Sequence, residues 1–594
     1  MVDTPTADSR GEPDISHVNP ADQKTWFGHP PQLARLFTTE MWERFAYYGM
    51  RALLALYMGK ALLMSKETSS LIYGNYTSLV YLTPLLGGYM ADRYWGNRRS
   101  ILVGGMLMAA GQFALFGSAS MYMTGQTSPS TAQMALFILG LTLMIFGNGF
   151  FKPNISSMVG SLYPKGDSRV DAAYTIFYMG INLGAFFSPL VCGTLGEVYD
   201  ANNNIMPGEF KWGFLAAGIG MLIGSATFEL LKNKYVNAPD GKPLGAKPER
   251  TVEHASVVPV GTDAPVRAET IARPAKSGGM SMGVVAILAV VIYAAIAWVM
   301  NYDWIGAVVF TAMIVMPMIV LSDASLTSRE KEKIYVILIL SFFVIFFWGA
   351  FEQAGASLTF FADEQTNRQL TSTYTVPASF FQSANALFII LFAPVLAVVW
   401  TTLGKKGIEP SSPLKMSIGL MLLAISYLVI AFGVKGVDAS TKVSMFWLIT
   451  MYLLQTFGEL CLSPIGLALV NKLAPARLAS LLMAVWFLAT AAGNKLAGVL
   501  SALYPPGPGE FKKAADAGIN LPAILNSASQ VPAATIEKLK GLEIPSQWPT
   551  FLGIQINDLY SFFMIFVVLS AAASLILFVI YKRLYKMREE PVTA

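Results

Sequence analysis

Eight ionisable residues fall inside long apolar runs, where a soluble protein would place leucine. Four are acidic (Glu40, Glu43, Glu352, Glu459) and four are basic (Arg44, Arg51, Lys152, Lys495). A charge at the centre of a membrane-crossing helix costs about 2.5–3.5 kcal/mol on the insertion scale. Eight such charges are too many to be incidental, and the balance of signs predicts pairing or a shared water-filled space. Their chemistry is that of ligand and proton handling: a guanidinium grips a carboxylate as a planar fork, and a carboxylate sheltered from water can carry a proton. The densest group is Glu40-x-x-Glu43-Arg44. On a helix, Glu40 and Arg44 stand four apart and share a face. Tyr48 and Arg51 continue that face, and Glu43 and Tyr47 form the adjacent row. The plain alternative is an ion pair that fastens this helix to its neighbours.

The elements that must position these residues are membrane helices. Of 594 residues, 54% are apolar and 13% charged, against about 25% charged in a soluble protein. Apolar windows near 20 residues, long enough to cross a hydrocarbon layer of ~30 Å, predict fourteen spans: 36–63, 70–91, 99–122, 134–161, 173–198, 212–232, 280–300, 304–322, 334–361, 376–402, 413–433, 444–472, 478–503 and 556–581. The reading is an all-α polytopic membrane protein embedded in a lipid bilayer. Segment 1–34 is a polar N-terminal tail without the apolar run of a cleaved signal peptide. Residues 35–232 make a six-helix bundle, 233–279 a polar linker, and 280–322 two further helices. Residues 323–581 make a second six-helix bundle with a long loop at 504–555 and a short helix near 536–542, and 582–594 form a tail. With the N-terminus inside, inner loops and tail carry about 25 Lys and Arg against about 10 outside. Both termini are therefore expected in the cytoplasm, with Arg93, Arg98, Arg99, Lys405, Lys406, Lys582 and Arg583 on that side and the 504–555 loop outside.

The remaining chemistry is sparse. Cys192 and Cys461 lie inside spans and suggest neither a disulfide nor a metal site. His17, His29 and His254 read as tail and linker residues, so proton handling within the membrane would fall to carboxylates. The net charge of +5 is scattered over loops and gives no nucleic-acid surface. No metal, nucleophile–base or phosphate-loop constellation stands out, so an enzyme is not expected. No cofactor and no obligate protein partner are expected, and the chain reads as a monomer.

The chain also repeats itself. Phe146, Gly147, Pro153, Val159, Leu162 and Pro164 match Phe457, Gly458, Pro464, Val470, Leu473 and Pro475 at one offset. Trp42, Phe45 and Gly49 match Trp348, Phe351 and Gly355 at another. The first span thus echoes the ninth and the fourth echoes the twelfth, which leaves spans seven and eight as an insertion. Seven of the eight buried charges lie on those four spans; Lys495 is the exception. Two duplicated halves around a midplane site follow the logic of major-facilitator transporters. The loop Gly88-x-x-x-Asp92-Arg93-x-x-Gly96-x-Arg98-Arg99 resembles their loop motif, its glycines permitting close helix approach and a tight turn.

Together these motifs resemble one family, the proton-dependent oligopeptide transporters. Glu40-Met-Trp-Glu43-Arg44-Phe45-Ala-Tyr47-Tyr48-Gly49 is similar to its first-helix signature. Phe150-Phe151-Lys152-Pro153-Asn154 and Phe177-Tyr178-x-x-Ile181-Asn182-x-Gly184 resemble those of its fourth and fifth helices, and Trp348-x-x-Phe351-Glu352-Gln353 and the stretch around Glu459 also fit. Spans 280–300 and 304–322 fit the extra helix pair of bacterial members. The resemblance implies a major-facilitator fold of two six-helix bundles plus two inserted helices in the cell inner membrane. It implies symport of di- and tripeptides with protons. Arg44, Tyr48 and Lys152 would receive the peptide carboxylate, and Asn182, Asn385 and Glu459 its amino end. Tyr81 and Trp486 would line side-chain pockets, with Arg51 and Trp348 also at the site. Arg51–Glu352 and Lys152–Glu459 would be gating bridges, and Glu40, Glu43 and Glu352 would couple protons. Eukaryotic relatives use a histidine early in the second helix. Here the region reads Tyr73-Gly74-Asn75, which favours a carboxylate relay. Tyr81 and Trp486 are also compatible with plain packing, and Asn182 and Asn385 with interhelical hydrogen bonding. Transport of another small anion, nitrate or a carboxylate-bearing compound, is the alternative on the same fold. A receptor without transport is a third class, against which the duplicated halves speak.

Overall fold

In a bilayer every backbone polar group must be satisfied within the protein, and that leaves helices as the economical solution for these apolar windows. The computed structural model describes residues 25–163, 167, 169–201, 204–235, 243–247, 280–372, 374–438, 441–475, 478–526 and 531–588. Fourteen long helices are present among them: α1 Gln32–Lys60, α2 Lys66–Leu82, α3 Gly96–Ser120, α4 Thr131–Gly160, α5 Val170–Gly196, α6 Phe210–Tyr235, α7 Met282–Val299, α8 Trp304–Leu321, α9 Ser328–Phe351, α10 Ser383–Lys405, α11 Ser412–Val434, α12 Met445–Leu473, α13 Ala479–Ser501 and α14 Leu559–Arg588. Eleven stretches are long and apolar enough to cross a membrane. One of them, Lys66–Ser120, holds both α2 and α3; α7 is apolar but shorter; and α1 carries the charged signature.

The halves show their repeat in the packing. In the first half α1 lies against α5 and α6, and α3 against α4 and α6; in the second, α9 lies against α13 and α14, and α11 against α12 and α14. The halves meet along α2–α13 and α5–α10, again a matched pair. The repeated glycines explain part of this. A Cβ on Gly147 of α4 would meet the Gly104 carbonyl of α3 at 2.8 Å, and one on Gly458 of α12 would meet the Gly419 carbonyl of α11 at 2.7 Å. The same repeat position thus lets the same two helices cross in each half.

Several elements depart from the sequence reading. α2 is not one smooth helix: it passes through Thr83–Pro84 into a short helix Pro84–Met90 and a wide turn Ala91–Trp95. Gly96 then turns with φ +72, and linker residues 243–247 pack on that turn, Arg98 donating Nε to the Leu244 carbonyl at 2.7 Å. The rest of 236–279 lies outside the described residues. Close approach in this loop belongs to Gly87, whose Cβ would meet the Phe150 Cα at 2.9 Å, rather than to Gly88, which is uncrowded. The expected span 334–361 breaks at Glu352–Gly355 and resumes as Ser357–Glu364. The 504–555 loop is more ordered than expected. It holds helices Pro508–Asp516, Leu521–Leu525 and Ala533–Gly541 around a small core of Ala514, Leu521, Leu525 and Leu539. Short two-stranded ribbons occur only in loops: Thr366–Asn367 with Val443–Ser444, Gln369–Thr371 with Tyr374–Thr375, and Thr550–Phe551 with Ile554–Gln555.

Candidate functional site

The charged residues of α1 are buried as a set: Glu40, Glu43, Arg44 and Arg51 are all under a tenth exposed. Small residues on α5 make room for them. A Cβ on Gly184 would meet the Arg44 Cβ at 2.9 Å, and one on Gly180 the Phe37 ring at 2.8 Å. Arg44 Nε lies 2.9 Å from Glu40 Oε1 and 2.6 Å from Glu43 Oε2, while its Nη2 has no hydrogen-bond partner. Glu43 also accepts a hydrogen bond from Asn148 Nδ2 of α4 at 3.0 Å. Asn148 is not among the residues singled out from the sequence. An amide between two glycines in an apolar span was the available signal.

Lys152, one turn further along α4, sits with Nζ 4.6 Å from the centre of the Tyr81 ring. It is near enough to Glu43 and Arg44 for their charges to interact. Arg51 crosses to the other half, its Nη2 2.6 Å from Glu352 Oε2 and its guanidinium over the Tyr48 ring at 5.4 Å. Glu352 is available because α9 ends one residue earlier. Carbonyls around that break accept from side chains, and a side chain from the break ties it to α13. Gln353 donates to the Gly349 and Ala497 carbonyls, Tyr427 donates to the Ala350 carbonyl, and Thr359 donates to the Ala354 carbonyl. A discontinuous helix is tolerated at membrane depth when its polar groups are satisfied in this way.

On α12, Glu459 accepts from Asn385 Nδ2 at 2.9 Å, and the same amide donates to Thr456 at 3.1 Å. Glu459 lies near Tyr48 and Tyr178 across the seam. The expected Lys152–Glu459 bridge is absent from this conformation: the amine lies over Tyr81 and the carboxylate is held by Asn385. Asn182 donates to the Tyr178 carbonyl of its own helix at 2.9 Å. Trp486 is buried over Gly466, and Trp348 packs on Gly493 and Phe351. Lys495 stands apart from this group and pairs with Asp303 and Asn75. His29 is not a free tail residue: it is buried and hydrogen-bonded to Tyr163 at 2.9 Å. His17 and His254 lie outside the described residues.

The halves are joined on the side opposite the N-terminus. Lys66 contacts Glu364 at 2.7 Å and Glu510 at 2.9 Å, and Lys60 contacts Asp363 at 2.8 Å. Glu197, at the end of α5, accepts from the Ala378 and Ser379 amides at 2.7 and 2.9 Å. Ser70 meets Ser501 at 2.9 Å. These contacts join the helix ends of the two halves and close that face.

A model of the POT family matches residues 98–515. The chain belongs to the POT family. It is 34% identical over 502 residues to the uncharacterized transporter YclF of Bacillus subtilis, covering 82% of this chain and 91% of that one. It is 35% identical over 499 residues to the peptide transporter YePEPT of Yersinia enterocolitica, covering 81% and 89%. Among solved structures, a mutant peptide transporter POT in complex with alafosfalin superposes with a TM-score of 0.68 at 29% identity, over 96% of this chain and 98% of that one. A POT family transporter in complex with 5-aminolevulinic acid gives 0.67 at 28% identity, over 95% and 98%. The family assignment and the two packed halves agree on a major-facilitator type of membrane protein.

Proposed function

We propose that this POT family member is a proton-coupled symporter that imports di- and tripeptides by alternating access. The observation that carries the reading is the charge count around the seam. Among the described residues, the cations placed with Glu40, Glu43, Glu352 and Glu459 are Arg44, Arg51 and Lys152, because Lys495 is engaged elsewhere. Fully ionised, the group holds one carboxylate in excess, and a single proton balances it. Arg44 and Lys152 form a cationic side suited to a peptide carboxylate, and Glu459 with Asn385 forms an acidic side suited to its ammonium. Tyr48, Tyr81, Trp348 and Trp486 supply aromatic walls that accept varied side chains, and Asn182 adds a polar edge. Glu40, Glu43 and Glu352 carry the coupling protons. Arg51–Glu352 is the bridge made in this conformation, and Lys152–Glu459 is the bridge to be made in another. Relatives named as peptide transporters support the substrate class. The closed face is the outer one, both termini are cytoplasmic, and the membrane is the bacterial inner membrane.

Substrate class is tested by competition. Purified protein in liposomes should take up labelled dialanine, and unlabelled di- and tripeptides should compete while free alanine and nitrate should not. Uptake that nitrate competes for and tripeptides do not would transfer the assignment to the small-anion alternative.

A further inference from the structure

The inserted helices α7 and α8 lie outside the charged cluster, and Lys495 is the buried charge that cluster does not use. The two features meet. α8 packs on α13 and α9 of the second half and also touches α2 of the first. The turn between α7 and α8 is tight, with Asn301 and Tyr302 at φ +50 and +62. Tyr302 and Trp304 are more than half exposed, as interfacial aromatics are. The turn delivers Asp303 to the start of α8, where Oδ1 accepts from the Gly306 amide at 3.0 Å. Oδ2 pairs with Lys495, whose side chain is 1% exposed. Gly306 lets the amine through, since a Cβ there would meet Lys495 Cε at 2.8 Å. Lys495 in turn donates to Asn75 Oδ1 of α2. The seam between the halves is tight here. A Cβ on Gly74 would meet Gly498 Cα at 2.7 Å, and Ser78 donates to the Ala491 carbonyl at 2.8 Å.

We propose that the inserted hairpin is a brace on this seam, Asp303 supplying the counter-charge that keeps Lys495 buried and bonded to Asn75 while α2 and α13 are closed together. The proposal rests on the alternating-access reading. Asp303 and Lys495 both belong to elements packed on the second half, so their pair survives when α2 moves away. The Lys495–Asn75 bond does not, and it therefore distinguishes the closed seam from the open one. Removing one partner of a buried ion pair leaves an uncompensated charge, which drives toward hydration. Without Asp303 the ammonium gains by opening the seam to water. The inserted pair thereby sets the balance between the two states without touching substrate.

The test uses spin labels on the full chain in nanodiscs without substrate, at Glu67→Cys on α2 and Ser444→Cys before α12. Both sites are exposed, and the native cysteines are buried. Asp303→Asn is the informative variant because asparagine also caps helices well and only the charge is lost. The long-distance component should rise roughly threefold to thirtyfold, the range of mutational coupling effects. The neutral pair Asp303→Asn with Lys495→Met should reverse most of that rise. Asn75→Ala, which removes the bond made to Lys495 across the closed seam, should raise the same component and serves if Asp303→Asn does not fold. Unchanged populations in Asp303→Asn, or in Asn75→Ala where Asp303→Asn fails to fold, overturn the brace. A wild-type distribution that stays single with dialanine and at both acid and neutral pH overturns alternating access and the brace together.

Discussion

Arg44 is held by two buried carboxylates. It lies against two glutamates through Nε and keeps Nη2 without a hydrogen-bond partner, which in the proposed function is the nitrogen that meets a ligand carboxylate. Lysine would keep the charge and lose the fork. Arg44→Lys should weaken dialanine affinity by roughly tenfold, the worth of one charge-assisted hydrogen bond. Calorimetric titration checks this, and unchanged affinity removes Arg44 from the ligand's contacts. His29 gives a second residue-scale expectation. Burial and the neighbouring Arg169 hold its pKa below the ordinary 6.5, against a smaller opposing effect of Asp167. The docked state therefore resists protonation, and docking of residues 25–31 weakens as pH falls below about 6.5. Protease cleavage near Trp26 should accelerate between pH 7.5 and 5.5 in the wild type and lose that dependence in His29→Gln. The buried charges were legible because their cost is read directly from an apolar context. His29 was not, because its burial comes from Tyr163 and the α4–α5 loop far along the chain.

At the scale of elements, apolar length located the fourteen long helices, with the largest misses at ends of α2, α9, α10 and α14, but three features escaped: the break in α2 at Thr83–Pro84, the break at Glu352 and the order of the 504–555 loop. The break at Glu352 contains no proline, and its cause is tertiary: Gly355 lies against the Tyr73 hydroxyl of α2, Tyr427 of α11 donates to the Ala350 carbonyl, and Gln353 donates to the Ala497 carbonyl of α13. The order in the 504–555 loop rests on a few apolar residues too sparse to show a period. The glycine repeat was legible as a pattern, and the structure adds that it marks helix crossings. Gly458→Leu would push α12 off α11. Overpacking costs roughly 1–3 kcal/mol, so the apparent unfolding temperature in detergent should fall by several degrees. Gly541→Ala, with nothing within 4 Å of its new methyl, should leave it unchanged. Equal effects of the two would contradict the crossing role.

For the whole molecule, the duplicated halves and the excess carboxylate make one account. In the proposed cycle, matched packing in the two halves would let them rock about a shared seam, and the charges there would change partners as they do so. Arg51–Glu352 holds the seam in the conformation seen, while Lys152 and Glu459 wait apart. Such a device returns work only if a proton or ligand alters the partner exchange, which is why Glu352 carries the central claim. The most direct measurement is dialanine uptake into proteoliposomes with and without an inward-acid gradient, for wild type and Glu352→Gln. The account predicts that the gradient accelerates wild-type uptake and leaves Glu352→Gln at its ungraded rate, with counterflow exchange retained. Wild-type uptake indifferent to the gradient, or full gradient-driven uptake in Glu352→Gln, would contradict it.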